Sequence, residues 1–408
     1  MTRSGKAILF VGGGLEATPG IFLAKNMGLR VVVSDGDLNA PGMRIADDQL
    51  HASTYDIPAT LDSVTKYVEG GRALSGVICL GTDVPMTVAT VAKSFGLNAV
   101  SIETACLASD KLAMKERFTK YNVKVPWFSR VDSVGHLRSL ANQHSKTLVI
   151  KPVDSRGARG VLKLGPTVDL GWAFNIATEN SPTGRVMVEE FLDGPQISTE
   201  SLIINGACHT PGFSDRNYEY LERFAPNIIE NGGDLPSAIP SDQQEAVRKV
   251  VASSAAALGV ANGVVKGDIV VHKGEPYVIE IATRLSGGYF CTHEIPLNTG
   301  VDFVGAAIRQ CLGETLDASD LESSFQRGVA QRYFFPNPGI VREICVPSWI
   351  SEDPDIALFE IRVKIGDRVF PAYSHPARAG VVIATGSTRE EAIGKARHVI
   401  NSVKIHTA

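Results

Sequence analysis

Between residues 6 and 108 short apolar runs alternate with stretches of helical spacing. The runs AILFVG, RVVVSD and GVICLG read as strands, and Pro19 to Met27, Ala59 to Val68 and Val84 to Phe95 read as helices between them. That alternation is the sequence form of a parallel α/β layer, so residues 1–108 are expected to form an open, doubly wound parallel sheet.

The pattern then changes. Ser109-Asp110 suits a helix N-cap, and the helix DKLAMKERFTKY that follows carries Leu112, Met114 and Phe118 on one face. A strand from Asn122 to Val131 contains Pro126. After it come a helix from Ser133 to His144, a strand from Thr147 to Lys151, a glycine loop and a strand from Val161 to Leu164. A helix from Val168 to Thr178 and a strand from Val186 to Phe191 complete a compact α+β unit over residues 109–192. Residues 193–320 read as a larger lobe: a strand from Ile197 to Ile204, a long polar loop around Asp215 to Ser237, a helix from Asp242 to Leu258, an acidic hairpin and a helix from Val301 to Leu312. Past a polar join at Asp317 to Gln326, residues 321–408 show short strands to Ile383, a capped helix from Ser387 to Val399 and a last strand, the pattern of a small β-rich domain.

A chain of 408 residues exceeds the usual size of one core, in keeping with several domains. With 44% hydrophobic and 21% charged residues and a net charge of -4, it has no overall electrostatic drive toward nucleic acid or anionic lipid. Cys79, Cys106, Cys208, Cys291, Cys311 and Cys345 show no C-x-x-C spacing, which argues against a zinc site or a disulfide framework and fits a reducing cytoplasm. The N-terminal MTRSGKAILFVGGG has an apolar run too short to span a membrane and lacks a signal-peptide cleavage pattern.

The segment GDIVVHKGEPYVIEIATRLSGG carries the strongest chemical signal. With a turn at Lys273-Gly274-Glu275, His272 faces Pro276 and Asp268 faces Glu280. Opposed residues have Cβ atoms roughly 5 Å apart, where like charges repel. Two acids held so suit a hard divalent ion that shares one or two carboxylates with phosphate oxygens and water. Arg284 and the loop Ser286-Gly287-Gly288 follow, offering a guanidinium and backbone N–H groups to an anion. The plain alternative is two surface acids, each satisfied by a lysine or water.

Three other segments bear on the same site. In the loop PVDSRGARG, backbone N–H groups freed by Gly157 and Gly160 can cradle phosphate while Lys151 supplies a point charge; alone, it is equally a mobile turn with solvated Arg156 and Arg159. The strand VMVEEFL offers a purine apolar walls, a carboxylate acceptor and backbone groups, although acids at a sheet edge more often face solvent. Arg216 and Arg223 in DRNYEYLER are candidates for a substrate carboxylate, at least one of them expected to be merely solvated. Against these stands a dinucleotide-binding reading, in which Gly12, Gly14 and Ala17 form G-x-G-x-x-A after a strand and Asp35 takes a ribose. His209, His272 and His293 are isolated, so zinc catalysis has little support.

Taken in order, DKLAMKERF, VKVPWF, LVIKPVDSRGARGV, VMVEEFLDGPQIS, VVKGDI and YVIEIATRLSGG resemble the ATP-grasp superfamily, in the carboxylate–amine ligase branch related to L-amino-acid ligases, biotin carboxylase and purine-pathway enzymes. The resemblance implies ATP and Mg²⁺, with Mn²⁺ as a substitute, bound between a small lid and a larger lobe. It gives Lys111 and Lys151 to the ATP phosphates, Glu189 to the adenine amine, and Glu190 and Leu192 to backbone contacts with the purine. Gln196 stands where relatives often place a ribose-binding glutamate. Asp268 and Glu280 match the metal ligands, and Arg284 the arginine that steadies an acyl phosphate. Ala282 replaces a frequent metal-binding asparagine. The implied activity joins a small-molecule carboxylate to an amine with release of ADP and phosphate, in a cytoplasmic homodimer. A bicarbonate-using carboxylase is the alternative within the family, and an NAD(P)-linked dehydrogenase the alternative outside it.

Overall fold

The structure is a computed structural model that describes residues 5–408. Met1 to Ser4 of the N-terminal segment lie outside them.

The first unit is the expected parallel sheet, with strand order Asp48–His51, Arg30–Asp35, Ala7–Val11, Gly76–Ile78. Side chains on a strand point alternately to opposite faces. Ala7, Leu9 and Val11 accordingly pack with Val64, Val88 and Val91 of helices Ile57–Glu69 and Pro85–Phe95. Ile8 and Phe10 pack on the other face with Ile21 and Ala24 of helix Thr18–Asn26. The same cluster takes Phe303, Val304 and Ile308 of helix Phe303–Cys311, so a segment some three hundred residues downstream closes this face.

The second unit is a four-stranded antiparallel sheet in the order Phe128–Val131, Val186–Glu190, Leu148–Pro152, Leu162–Leu164. Helices Val134–Gln143 and Leu170–Glu179 cover it through Leu137, Ala173 and Ala177.

Eight strands build the third layer, in the order Glu275–Ala282, Gly263–His272, Gln196–Ile204, Ala207–Asn217, Gly232–Leu235, Gly328–Tyr333, Gly380–Gly386, Ile356–Ile361. Two expectations change here. The polar stretch Asp215 to Ser237 is not one long loop: it holds the end of strand Ala207–Asn217, a short helix Leu221–Phe224 and the strand Gly232–Leu235. It carries polar residues that are wholly or partly buried, among them Arg216, Glu230, Asn231 and Asp234, which is why hydropathy hid them. The strands after residue 321 also continue this sheet through the pairing of Asp234 with Ala330, and only Gly339–Cys345, Arg368–Val369 and Lys404–Thr407 form a separate small sheet. At that seam Gly232 has φ +134°, and a Cβ there would lie 1.9 Å from the Gln331 carbonyl oxygen, so only glycine lets the two strands close.

Candidate functional site

A cavity of about 940 Å³ lies where the three units meet. Glu16 and Asp83 reach it from turns of the parallel-sheet unit, Lys111, Lys151 and Arg156 from the small lobe, Asp268 and Glu280 from the large sheet with Arg284 just beyond it, and Arg362, His375 and Arg378 from the connections between the C-terminal strands. Small-molecule sites span roughly 300–1,000 Å³, so this space lies at the large end of that range.

Asp268 does face Glu280, but by a route other than the expected one. The turn has two residues, Lys273 and Gly274, both with positive φ (51° and 82°), and His272 pairs with Glu275 rather than Pro276. That geometry matches the tight hairpin turn whose twist suits its flanking strands. Counted from it, Asp268 would meet Ile279. A bulge inserts Ile279 as an extra residue between the pairs Ile269 to Val278 and Asp268 to Glu280. A shift of one residue exchanges the faces of a strand, so the bulge is what turns Glu280 into the cavity.

Across three strands this face carries one row of Ser198, Asp268 and Glu280 and, two residues on, a second row of Glu200, Lys266 and Ala282. Each expected metal acid holds a lysine. Lys266 pairs with Asp268, and Lys111 lies 3.1 Å from Glu280. Burial opposes ionisation of Asp268, but the Lys266 ammonium and Arg216 guanidinium outweigh it and hold the carboxyl below the usual range. The small Ala282 directly opposite leaves Lys266 its room. No group of three or more His, Cys, Asp or Glu side chains able to hold a metal occurs among the described residues. Two facing carboxylates on a cavity wall do fit Mg²⁺, which is held by one or two carboxylates plus phosphate oxygens.

Lys111 opens helix Lys111–Lys120, capped by the Asp110 side chain, which accepts from Leu112 N and Ala113 N at 3.0 Å each. Its ammonium donates to the Ser155 carbonyl at 2.8 Å, tying the glycine loop to the acidic hairpin. One turn on, Lys115 is buried (1% exposed) and lies 2.9 Å from Glu189. Lys151, at the end of strand Leu148–Pro152, donates to the other oxygen of Glu189. Both oxygens of Glu189 therefore face ammonium groups. Burial works against its charge, yet Lys115 and Lys151 together hold the carboxyl below its ordinary range. Glu190 is taken up by Lys146 at 3.1 Å, while Leu192 (6% exposed) and Gln196 line the cavity beyond it.

Arg284 sits 3.6 Å from Asp83, and its Nε has no hydrogen-bond partner. Burial disfavours its charge, but Asp83 and Glu200 more than compensate and raise its pKa. The loop after it is less open than expected. Ser286 N donates to Glu200 at 2.9 Å and Gly288 N to Glu16 at 2.6 Å, so two amides expected for an outside anion already bind internal carboxylates. Glu200 lies below this loop, its carboxyl pushed up to about 7 by burial, which outweighs the Ser286, Arg284 and Lys266 contacts. Glu16 also meets Arg362 at 3.4 Å.

The glycine loop has Gly157 and Gly160 at φ +61° and +69°. It is not a free turn. Arg156 approaches Asp83 at 3.8 Å and stacks over Tyr55 at 4.3 Å, while the Gly157 carbonyl accepts from His375 N at 3.0 Å. Both flanks thus clasp it over the cavity.

Arg216 and Arg223 part company. Arg216 lines the cavity, 3.1 Å from Glu230 and 3.0 Å from Ser198 Oγ, whereas Arg223 is exposed and donates to the Phe335 carbonyl. Behind Arg216 lies Glu294, fully buried, with no partner for either oxygen, at the end of a π-helical turn Phe290–Glu294. Such turns gather at functional sites. Burial, opposed by Arg216 but reinforced by Glu230 and Asp234, pushes the Glu294 carboxyl up to about 8. A carboxyl whose pKa rises on folding favours the fold while protonated. Its contribution is complete below the unfolded value of about 4.3 and is lost as pH climbs through the folded value. Glu294→Gln is therefore expected to raise Tm by about 3 °C at about pH 9 and to leave it unchanged at about pH 5. Thermal melts at both pH values check this, and an equal shift at the two would contradict it.

The N-terminal glycines do not present a dinucleotide site. Asp35, expected as a ribose acceptor, takes the Gly13 N–H at 2.8 Å and the Asp37 N–H at 2.9 Å, and Glu16 puts a carboxylate just after the glycines. Sequence reasoning passed over Glu16, Asp83, Lys115, Glu200, Lys266, Arg362 and Arg378. Only Lys266 left a usable signal, two residues before Asp268 and so on the same strand face.

Comparison with known proteins agrees with this geometry. Residues 108–288 match the family described as "ATP-grasp domain", and residues 332–408 match "L-amino acid ligase C-terminal domain 2". The crystal structure of an L-amino acid ligase from Bacillus licheniformis superposes with a TM-score of 0.82 over 100% of both chains at 20% identity, which establishes the fold. A formate-dependent phosphoribosylglycinamide formyltransferase from Psychromonas ingrahamii is 24% identical over 98% of this chain and 96% of its own. A carbamoyl phosphate synthase large chain from Thermoanaerobacter sp. is 20% identical over 76% of this chain, which spans only 29% of that longer protein. With the acidic hairpin, the helix-start and strand-end lysines and the glycine loop lining one cavity, residues 108–288 are similar to an ATP-grasp domain, residues 332–408 to an L-amino acid ligase C-terminal domain, and the whole chain shares the fold of the L-amino acid ligase structure.

Proposed function

We propose that the protein is an ADP-forming ligase that activates a small-molecule carboxylate with ATP and joins it to an amine, with amino acids as the substrates. The observation that carries this is the row of Asp268 and Glu280 beside Arg284, with Lys111 and Lys151 in the same cavity. Asp268 and Glu280 would hold Mg²⁺, which supplies charge neutralisation at the phosphates when bound. A carboxylate oxygen of the substrate forms a bond to the γ-phosphorus as the bond to the β-phosphate oxygen breaks, giving an acyl phosphate and ADP. The amine then bonds to the acyl carbon, phosphate leaves, and the nitrogen gives up a proton. Positioning and charge dominate such transfers, so the cavity needs cations more than a strong base. Lys111, Lys151 and Arg284 leave their internal carboxylates for phosphate oxygens. The clasped glycine loop keeps water from the acyl phosphate.

The amino-acid assignment draws support from the C-terminal family match. Cytoplasmic location and a homodimer belong to the same proposal. No helix among the described residues is long and apolar enough to cross a membrane. Pairwise screening of amino acids and small acids for phosphate release tests it: ADP must form only when a carboxylate and an amine are both present. AMP with pyrophosphate would reject the reaction, and ADP release driven by bicarbonate would move the enzyme to the carboxylase alternative.

A further inference from the structure

One buried cation of the small lobe does not line the cavity and so takes no direct part in the chemistry above. Lys115 lies one helical turn beyond Lys111 and is almost completely buried, with its ammonium 2.9 Å from Glu189 and donating to the Val278 carbonyl at 3.4 Å. It therefore joins helix Lys111–Lys120 to the purine strand and to the acidic hairpin. Lys151, which lines the cavity, holds the other oxygen of the same carboxylate. Two ammonium groups thus share one buried carboxylate, an excess of one positive charge beside the cavity wall.

Leaving a buried charge unpaired is strongly unfavourable, so a carboxylate with a single lysine would not release it readily. Glu189 has two. We propose that Lys115 is a positioning residue that keeps Glu189 neutralised so that Lys151 can leave it for the phosphates of the nucleotide. Lys115 itself meets no ligand and acts only through Glu189. Burial pulls the Lys115 pKa down, Glu189 opposes it and Lys151 adds to it. The inference rests on the ATP-binding reading, and its test is a binding measurement that needs neither carboxylate nor amine.

The probe is the Mg²⁺ complex of the β,γ-imido analogue of ATP, titrated calorimetrically into the full chain. Lys115→Met should weaken binding about tenfold or more, since Glu189 then retains Lys151, and Lys115→Arg should stay within about threefold of the wild type. Adding Glu189→Gln to Lys115→Met should recover most of the loss, because glutamine cannot hold Lys151 by charge but keeps a carbonyl oxygen for the exocyclic amine. A residue that merely supported the fold would show no such recovery. Undiminished binding by Lys115→Met, or a further loss in the double variant, overturns the proposal. Should Lys115→Met fail to fold, K115M/E189Q, which orphans neither partner of the buried pair, decides alone. Affinity within about threefold of the wild type then supports the proposal, and a tenfold loss rejects it. A wild type that binds no nucleotide would remove the ATP reading itself, a result distinct from either.

Discussion

Glu280→Ala is expected to leave the protein folded and to lower kcat at least about a thousandfold. The side chain is 26% exposed and contributes a carboxylate to the cavity wall rather than volume to a core. Lys111 keeps its bond to the Ser155 carbonyl, so the helix start and the glycine loop stay joined. What is lost is one of the two acids that face each other across the bulged hairpin. Asp268 cannot replace it, because it is itself the other acid of the facing pair and leaves the site with one carboxylate where two were opposed. Steady-state ADP release at ordinary Mg²⁺, together with a thermal melt, checks the two halves of the expectation. Retained turnover would mean that no metal is seated here.

The acidic hairpin shows what a sequence can and cannot disclose. Period-two alternation and the Lys-Gly turn place two acids on opposed strands, and both are there. The register, however, depends on a bulge at Ile279 that no residue type announces, and the expected pairing holds only because a shorter turn and an extra residue offset each other. The alternation in residues 6–108 disclosed the parallel sheet, since short, wholly apolar strands between helices have few other solutions. The same pattern was silent about helix Phe303–Cys311, which completes that core from far along the chain.

Charge pairing was the least legible feature. Four cations named for phosphate or for a substrate carboxylate each rest on an internal carboxylate: Lys111 on Glu280, Lys151 on Glu189, Arg216 on Glu230 and Arg284 on Asp83. Most of their partners come from distant segments, as Glu280 and Asp83 do, and nothing local marks them. A site filled with its own ion pairs meets a polyphosphate and a cation by exchange, in which each charge trades one partner for another and none is left bare.

That exchange fixes what Arg284→Lys should do, the second large effect. Arg284 approaches Asp83 at 3.6 Å, gives one donor to the Leu285 carbonyl at 3.3 Å and leaves its Nε without a partner. A guanidinium presents several donors in a fixed plane, matched to two oxygens of a carboxylate or phosphoryl group, and a lysine at the same site keeps the charge but not the fork. The proposed anchoring of the nucleotide by Lys111 and Lys151 is untouched, so its KM should stay within about threefold of the wild type. Stabilisation of the charge that develops on the transferring phosphoryl group should fall, and losing such a donor costs roughly a hundredfold or more in kcat. Steady-state kinetics with ATP and with the carboxylate varied in turn separate the two quantities. A variant that loses ATP affinity while keeping kcat would place Arg284 at the nucleotide rather than at the acyl phosphate.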